Sequence, residues 1–243
     1  MAVLSRTVAV SFFSDECLFL AGGVAYQLFF SLIPFLALVV GVLAFVYGPD
    51  RAQTELVDGR AVSLGFGIIG TVIGASAVYG SIDLALAMVL GGGRKRSFLR
   101  GHASAFASVA AIAALAVVSF ALSYFAQAAQ DALAASGMSQ LARVLIAIGS
   151  PAFGLAAGFI FFYAIYRYLP RNRMPPPVAV RAALVSAVLW EIAKVAFGFF
   201  TRALGTFSAY GPLAFAAGLL TWVYLTAVII LIGAELMKVQ AKK

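Results

Sequence analysis

Apolar residues in this chain neither alternate nor keep to one narrow helical face; they run on for several turns, interrupted by short segments rich in Gly, Pro, Arg and Asp. Six such runs stand out, at about 17–47, 61–90, 103–126, 141–166, 178–201 and 213–237. A helix needs about 20 mostly apolar residues to cross a bilayer, so each run is long enough for one crossing. The pattern predicts an all-α fold: a polytopic membrane protein with six transmembrane helices, forming a single domain over residues 1–243.

The punctuation between runs sharpens this reading. Ser14-Asp15-Glu16 ahead of the first run reads as an N-cap with acid in the first turn. That run is longer than one crossing requires and holds Pro34; a proline there removes a backbone donor, so a kink or tilt is expected. The fourth and fifth runs are joined by Leu169-Pro170-Arg171-Asn172-Arg173-Met174-Pro175-Pro176-Pro177, a stiff basic connector that cannot be helical throughout.

Composition agrees with a lipid solvent, since 63% of the 243 residues are hydrophobic and 11% charged, against about 25% charged in a soluble domain. The net charge of +8 would suit a nucleic-acid partner, but its distribution argues otherwise. Twelve Lys and Arg fall beside the termini, in the loop holding Arg94, Lys95, Arg96 and Arg100, and around the connector; only Arg51, Arg60, Arg143 and Arg202 fall on the opposite side. The positive-inside rule then predicts both termini in the cytoplasm of a bacterial inner membrane, with membrane lipids rather than nucleic acid as partners. The one cysteine, Cys17, leaves no internal disulfide and reads as a small buried hydrophobe. The opening residues, with Arg6 alone before an interrupted apolar stretch, do not suggest a cleaved signal peptide.

The most informative chemistry is in the fifth run, where Glu191 and Lys194 interrupt an apolar helix. A charge inside the bilayer costs about 2.5–3.5 kcal/mol on insertion scales, so such residues face the bundle interior and find partners. At about 100° per residue, Glu191, Lys194, Gly198 and Arg202 share one stripe with Ala187 and Gly205. Two readings stand side by side. In one, Glu191 and Lys194 are an i,i+3 pair that neutralises itself and locks the helix. In the other, the stripe lines a transport path or binds an anionic substrate, Lys194 and Arg202 supplying charge and Glu191 the counter-ion or a proton carrier.

The second run carries a stripe of small residues, Ser63, Gly67, Gly70, Gly74, Ala77 and Ser81, which lets helix backbones approach closely. It reads as a packing stripe, expected against the fifth helix, with a pore or substrate-facing groove as the alternative. Asp83, with Ser76, Tyr79 and Gly80 on its side, suggests a small polar cluster, and Glu235 an interfacial pair with Lys238. Tyr26, Gln27 and Ser31 are polar enough to line an interior, and interhelical hydrogen bonds explain them as well. The lone histidine, His102, has no second ligand cluster and reads as a solvated interfacial residue. No Walker A loop, dinucleotide fingerprint or nucleophile triad can be assembled. The expectation is therefore a protein that is not an enzyme, with no cofactor and no metal.

Several stretches together resemble the YihY/BrkB family of bacterial membrane proteins: Ala25-Tyr26 with Ser31-Leu32-Ile33-Pro34; Arg96-Ser97-Phe98; Tyr166-Arg167-Tyr168-Leu169-Pro170; Leu189-Trp190-Glu191 with Lys194; Thr206-Phe207-Ser208-Ala209-Tyr210-Gly211-Pro212; and Gly233-Ala234-Glu235-Leu236. They follow the family's order almost from end to end, although the connection 48–60 is short. The resemblance implies location and fold; for activity it carries a ribonuclease label, a virulence-factor label and suggestions of transport. The ribonuclease label fits this sequence poorly, because phosphodiester hydrolysis needs acids, bases or metal-holding carboxylates in water, and the cytoplasmic segments offer little beyond His102, Asp15 and Glu16. The expected function is a transporter or lipid translocase for an anionic or amphiphilic substrate, with a non-transporting envelope scaffold as the alternative.

Overall fold

A computed structural model describes residues 2–47, 60–92, 140–172, 174–205 and 211–241; the apolar run at 103–126, the basic loop with His102, and the first outer connection lie outside these residues. The described residues form six helices and no strand: α1 (Ala2–Ser14), α2 (Cys17–Tyr47), α3 (Arg60–Leu90), α4 (Gln140–Tyr168), α5 (Pro176–Gly205) and α6 (Gly211–Ala241). Five of them coincide with the apolar runs. Four, over Cys17–Val42, Gly65–Leu90, Pro176–Phe200 and Leu213–Ala241, are long and apolar enough to cross a membrane.

Helix α1 is an element the apolar runs did not announce, and it changes the meaning of Ser14-Asp15-Glu16. These residues are a break between two helices rather than the cap of a first one. The Asp15 N–H still donates to Ser11 O at 2.9 Å, closing α1, while Glu16 O accepts from the N–H groups of Phe19 and Leu20 at 2.9 and 3.1 Å, opening α2. Between the two, Glu16 takes φ +52°, a left-handed conformation unusual for a residue with a side chain. Other ends follow ordinary rules. Gly91, at φ +84°, stops α3 in the left-handed position that suits glycine. Pro176 and Pro177 occupy the first turn of α5, where no amide donor is needed.

Helices α2 and α3 pack along each other, α4 and α5 form a second pair, and α6 touches α1, α2, α3 and α5, joining the two pairs. The α2–α3 seam is made by glycine. A Cβ at Gly67 would stand 2.6 Å from Leu38 Cα, at Gly70 2.5 Å from Pro34 Cβ, and at Gly74 2.9 Å from Ser31 Cβ. No real side chain fits such gaps, so the small residues are what let the backbones meet. This part of the stripe therefore faces α2, not the fifth helix as expected from the sequence. Ala77 and Ser81 continue it half-buried, Ser81 donating to Val78 O at 2.8 Å; the side chain of Ser63 lies outside those described.

Burial is uneven along the bundle. The core gathers the start of α2 (Cys17, Ala21, Val24), the end of α3 (Ile82, Leu86, Val89), the end of α4 (Phe162, Tyr166), the start of α5 (Ala179, Ala183) and the end of α6 (Leu231, Ala234, Met237). All these segments meet at one end. Toward the other end large apolar side chains stand exposed, among them Ile33, Leu36, Ile69, Ile73, Val195, Phe199 and Phe215. Such continuous apolar surface suits lipid rather than water.

Candidate functional site

Helix α5 begins with a face of small residues, Ala179, Ala182, Ala183, Ser186 and Ala187, all with no exposed surface. Small side chains let α4 approach closely, and α4 answers with glycine. A Cβ at Gly158 would lie in ordinary contact with Ala187 Cβ and Trp190 Cδ1, both at 3.7 Å. One turn further along this seam the contact changes character. A Cβ at Gly154 would fall 2.8 Å from Glu191 Oε1 and 2.9 Å from Lys194 Nζ, so the charged pair occupies the space that a missing side chain leaves on α4.

Within the pair, Lys194 Nζ lies 2.6 Å from Glu191 Oε1, with side-chain exposures of 40% and 25%. Oε1 is enclosed yet accepts no well-aligned hydrogen bond among the described residues; the contact is an ion pair held by charge. The exposure decides how the site can act. Glu191 is the shielded member and Lys194 the accessible one, so an approaching anion would meet the ammonium first. Beside the pair, Trp190 and Phe197 pack tilted against Trp222, with ring centroids 4.6 and 4.8 Å apart, a wall of rings between α5 and α6. Gly198 follows on the same face, with open space where a Cβ would be. Arg202 belongs to α5, but its side chain lies outside those described. Thus Glu191, Lys194 and Gly198 are adjacent, and Gly154 joins them as a residue that sequence reading missed.

Two further charged sites carry more burial than their sequence suggested. Asp83, near the end of α3, is gripped by Arg171 of the basic connector: Nη2 donates to Oδ2 at 2.7 Å, and Nε to the same oxygen at 3.1 Å. The connector's Arg171, outside the helices, is pushed further above its usual range by this bonding and stays charged. Next to it, Asn172 Nδ2 donates to Gly91 O at 3.3 Å, covering the end of α3. At the α1–α2 break, Lys238 of α6 pairs with Asp15 and lies 3.7 Å from Glu235, which has no exposed surface. Glu235 is therefore buried, not interfacial as the sequence suggested.

A neutral polar knot lies nearby. The Tyr166 hydroxyl, fully enclosed, is 2.7 Å from Ser186 Oγ and donates to Ile230 O at 3.0 Å. It sits against Gly233, where any Cβ would collide with the hydroxyl and with Ser186. Among the described residues no three His, Cys, Asp or Glu side chains are grouped to hold a metal ion.

Comparison with known proteins adds the family. Residues 8–243 match the family described as Virulence factor BrkB. A UPF0761 membrane protein of Alkalilimnicola ehrlichii is 26% identical over 94% of this chain and 56% of its own length. One from Cronobacter sakazakii is 25% identical over 91% of this chain and 83% of its own. A shorter match, to a UPF0761 membrane protein of Citrobacter koseri, reaches 38% over 35% of this chain and 29% of that protein. The chain thus spans little more than half of the Alkalilimnicola relative. No solved structure matches. With apolar helices throughout and a match over nearly its whole length, the chain belongs to the BrkB family of membrane proteins.

Proposed function

We propose that this protein is a six-span inner-membrane transporter or lipid translocase for an anionic amphiphile, with the α5 face of Glu191, Lys194, Gly198 and Arg202 lining the path. The observation that carries the reading is the Glu191–Lys194 pair at 2.6 Å, opposite Gly154, with Lys194 40% exposed inside an apolar helix. A charge retained there at a cost of about 2.5–3.5 kcal/mol on insertion scales asks for a use. A base that is accessible beside a shielded acid suits a phosphate or carboxylate headgroup carried on an apolar tail.

Chain direction supports six crossings with both termini on one side. The start of α2, the ends of α3, α4 and α6, and the start of α5 all meet in the buried end. Helices α3 and α4 therefore run the same way, which supports the reading of one further crossing in the chain between them. The apolar run at 103–126 has the length and composition for it. The Lys238–Asp15 pair brings both ends of the chain together there, and the basic connector at that end suits a cytoplasmic side.

A second reading, a non-transporting scaffold for envelope proteins, draws on the same pair, which is internally neutralised. The two separate in reconstituted liposomes. The transport reading expects labelled anionic lipid to change leaflets in a way that Glu191→Gln with Lys194→Met abolishes; the scaffold reading expects no flux and stable partner proteins on cross-linking.

A further inference from the structure

Glu235 sits where no ordinary carboxylate is comfortable. It is on α6 with no exposed surface, and its Oε2 is enclosed without a hydrogen-bond partner among the described residues. Its Oε1 accepts a long hydrogen bond from Cys17 Sγ at 3.7 Å and lies 3.7 Å from Lys238 Nζ. The lysine is committed elsewhere: it pairs closely with Asp15 and donates to Ser11 Oγ at 3.3 Å. Ser11 and Asp15 of the α1–α2 break flank the Glu235 carboxyl. From every packed element, then, the charges facing Glu235 are Asp15 and Lys238, with the Cys17 thiol beside them.

Two carboxyl groups and one ammonium leave one negative charge, and Glu235 is the member with no exposed surface. A buried ion is tolerated only when paired and hydrogen-bonded on its free lone pairs, and neighbouring carboxylates cannot both ionise easily. We propose that Glu235, with Asp15 and Lys238, forms a proton-binding site at the junction of α1, α2 and α6. Lys238 and Asp15 form the ion pair, and Glu235 takes up one proton as a neutral acid. Its Oε1 then accepts from the Cys17 thiol as a carbonyl would, and the unpartnered Oε2 no longer bears charge. Loss of the proton to water yields a second carboxylate competing for Lys238, which draws the ammonium from Asp15 and loosens the break held at Glu16. The site is distinct from the α5 face and does not depend on it.

Infrared spectroscopy of the full chain in nanodiscs tests this. A protonated carboxylic acid gives a carbonyl band above the amide region that shifts down in deuterated water. The band is expected in wild-type protein at neutral pH, shifted by isotope-labelled glutamate, lost in Glu235→Gln and kept in Glu191→Gln. If Glu235→Gln does not fold, labelled wild-type protein beside Glu191→Gln still decides. Absence of the band at neutral pH, its persistence in Glu235→Gln, its loss in Glu191→Gln, or its appearance only when sodium is withdrawn overturns the proposal, the last by making the occupant a metal cation.

Discussion

Asp83 and Arg171, 88 positions apart, are joined by hydrogen bonds from two guanidinium nitrogens, tying the end of α3 to the connector before α5. The pair holds together two elements that share no local sequence signal, and both side chains are largely buried, at 18% and 13% exposure. It closes the bundle at the end where the core is gathered.

The first expectation follows from this clamp. A hydrogen bond to a charged group contributes about 1.5–3 kcal/mol, so Asp83→Ala should lower the thermal midpoint in detergent clearly. Arg171→Lys should restore little, because an ammonium cannot reproduce the fork. In a double-mutant cycle, Asp83→Ala with Arg171→Ala should cost less than the two single changes added. Strict additivity would show that the pair contributes nothing.

Gly233 provides a steric test. Gly233→Ala must displace both the Tyr166 ring end with its hydroxyl and Ser186, and overpacking of this kind costs about 1–3 kcal/mol. Combined with Tyr166→Phe, which removes the colliding oxygen, part of that loss should return in the same melting experiment. An unchanged or larger loss would show that the hydroxyl is not the atom that decides the cost, leaving the Tyr166 ring carbon and Ser186 as the obstacle.

At the α2–α3 seam, Gly70→Val would push against Pro34. A cysteine pair placed at exposed positions on α2 and α3 should then cross-link more slowly than in the parent protein, while the Gly80→Val control, with open space around its Cβ, should leave the rate alone.

These relationships also mark what the sequence could and could not reveal. Continuous apolar runs located α2 to α6 within a few residues, because lipid demands length and apolarity above all. Angular counting put Glu191 and Lys194 together, since i,i+3 neighbours are local. Asp83 with Arg171 was invisible to the same count, as were Gly154 opposite the pair and α1 over Glu235. Glu235 looked interfacial because it lies near the end of a run. The helix that buries it is short, and its apolar stretch was too brief to announce a span.

Gly154 links the fold to the proposed path. Gly154→Val leaves the charges of Glu191 and Lys194 intact but fills the space they occupy. If the pair acts as a path, this change should lower lipid flux nearly as far as removing the charges does. Full flux in a folded Gly154→Val protein would detach the pair's position from function.

The most direct measurement is leaflet exchange of labelled anionic phospholipid in liposomes holding the purified protein, wild type beside the Glu191→Gln/Lys194→Met variant. A path along α5 requires exchange by wild type well above protein-free vesicles and a return to that background in the variant. Equal exchange by both proteins, each folded and inserted, would contradict a path along α5.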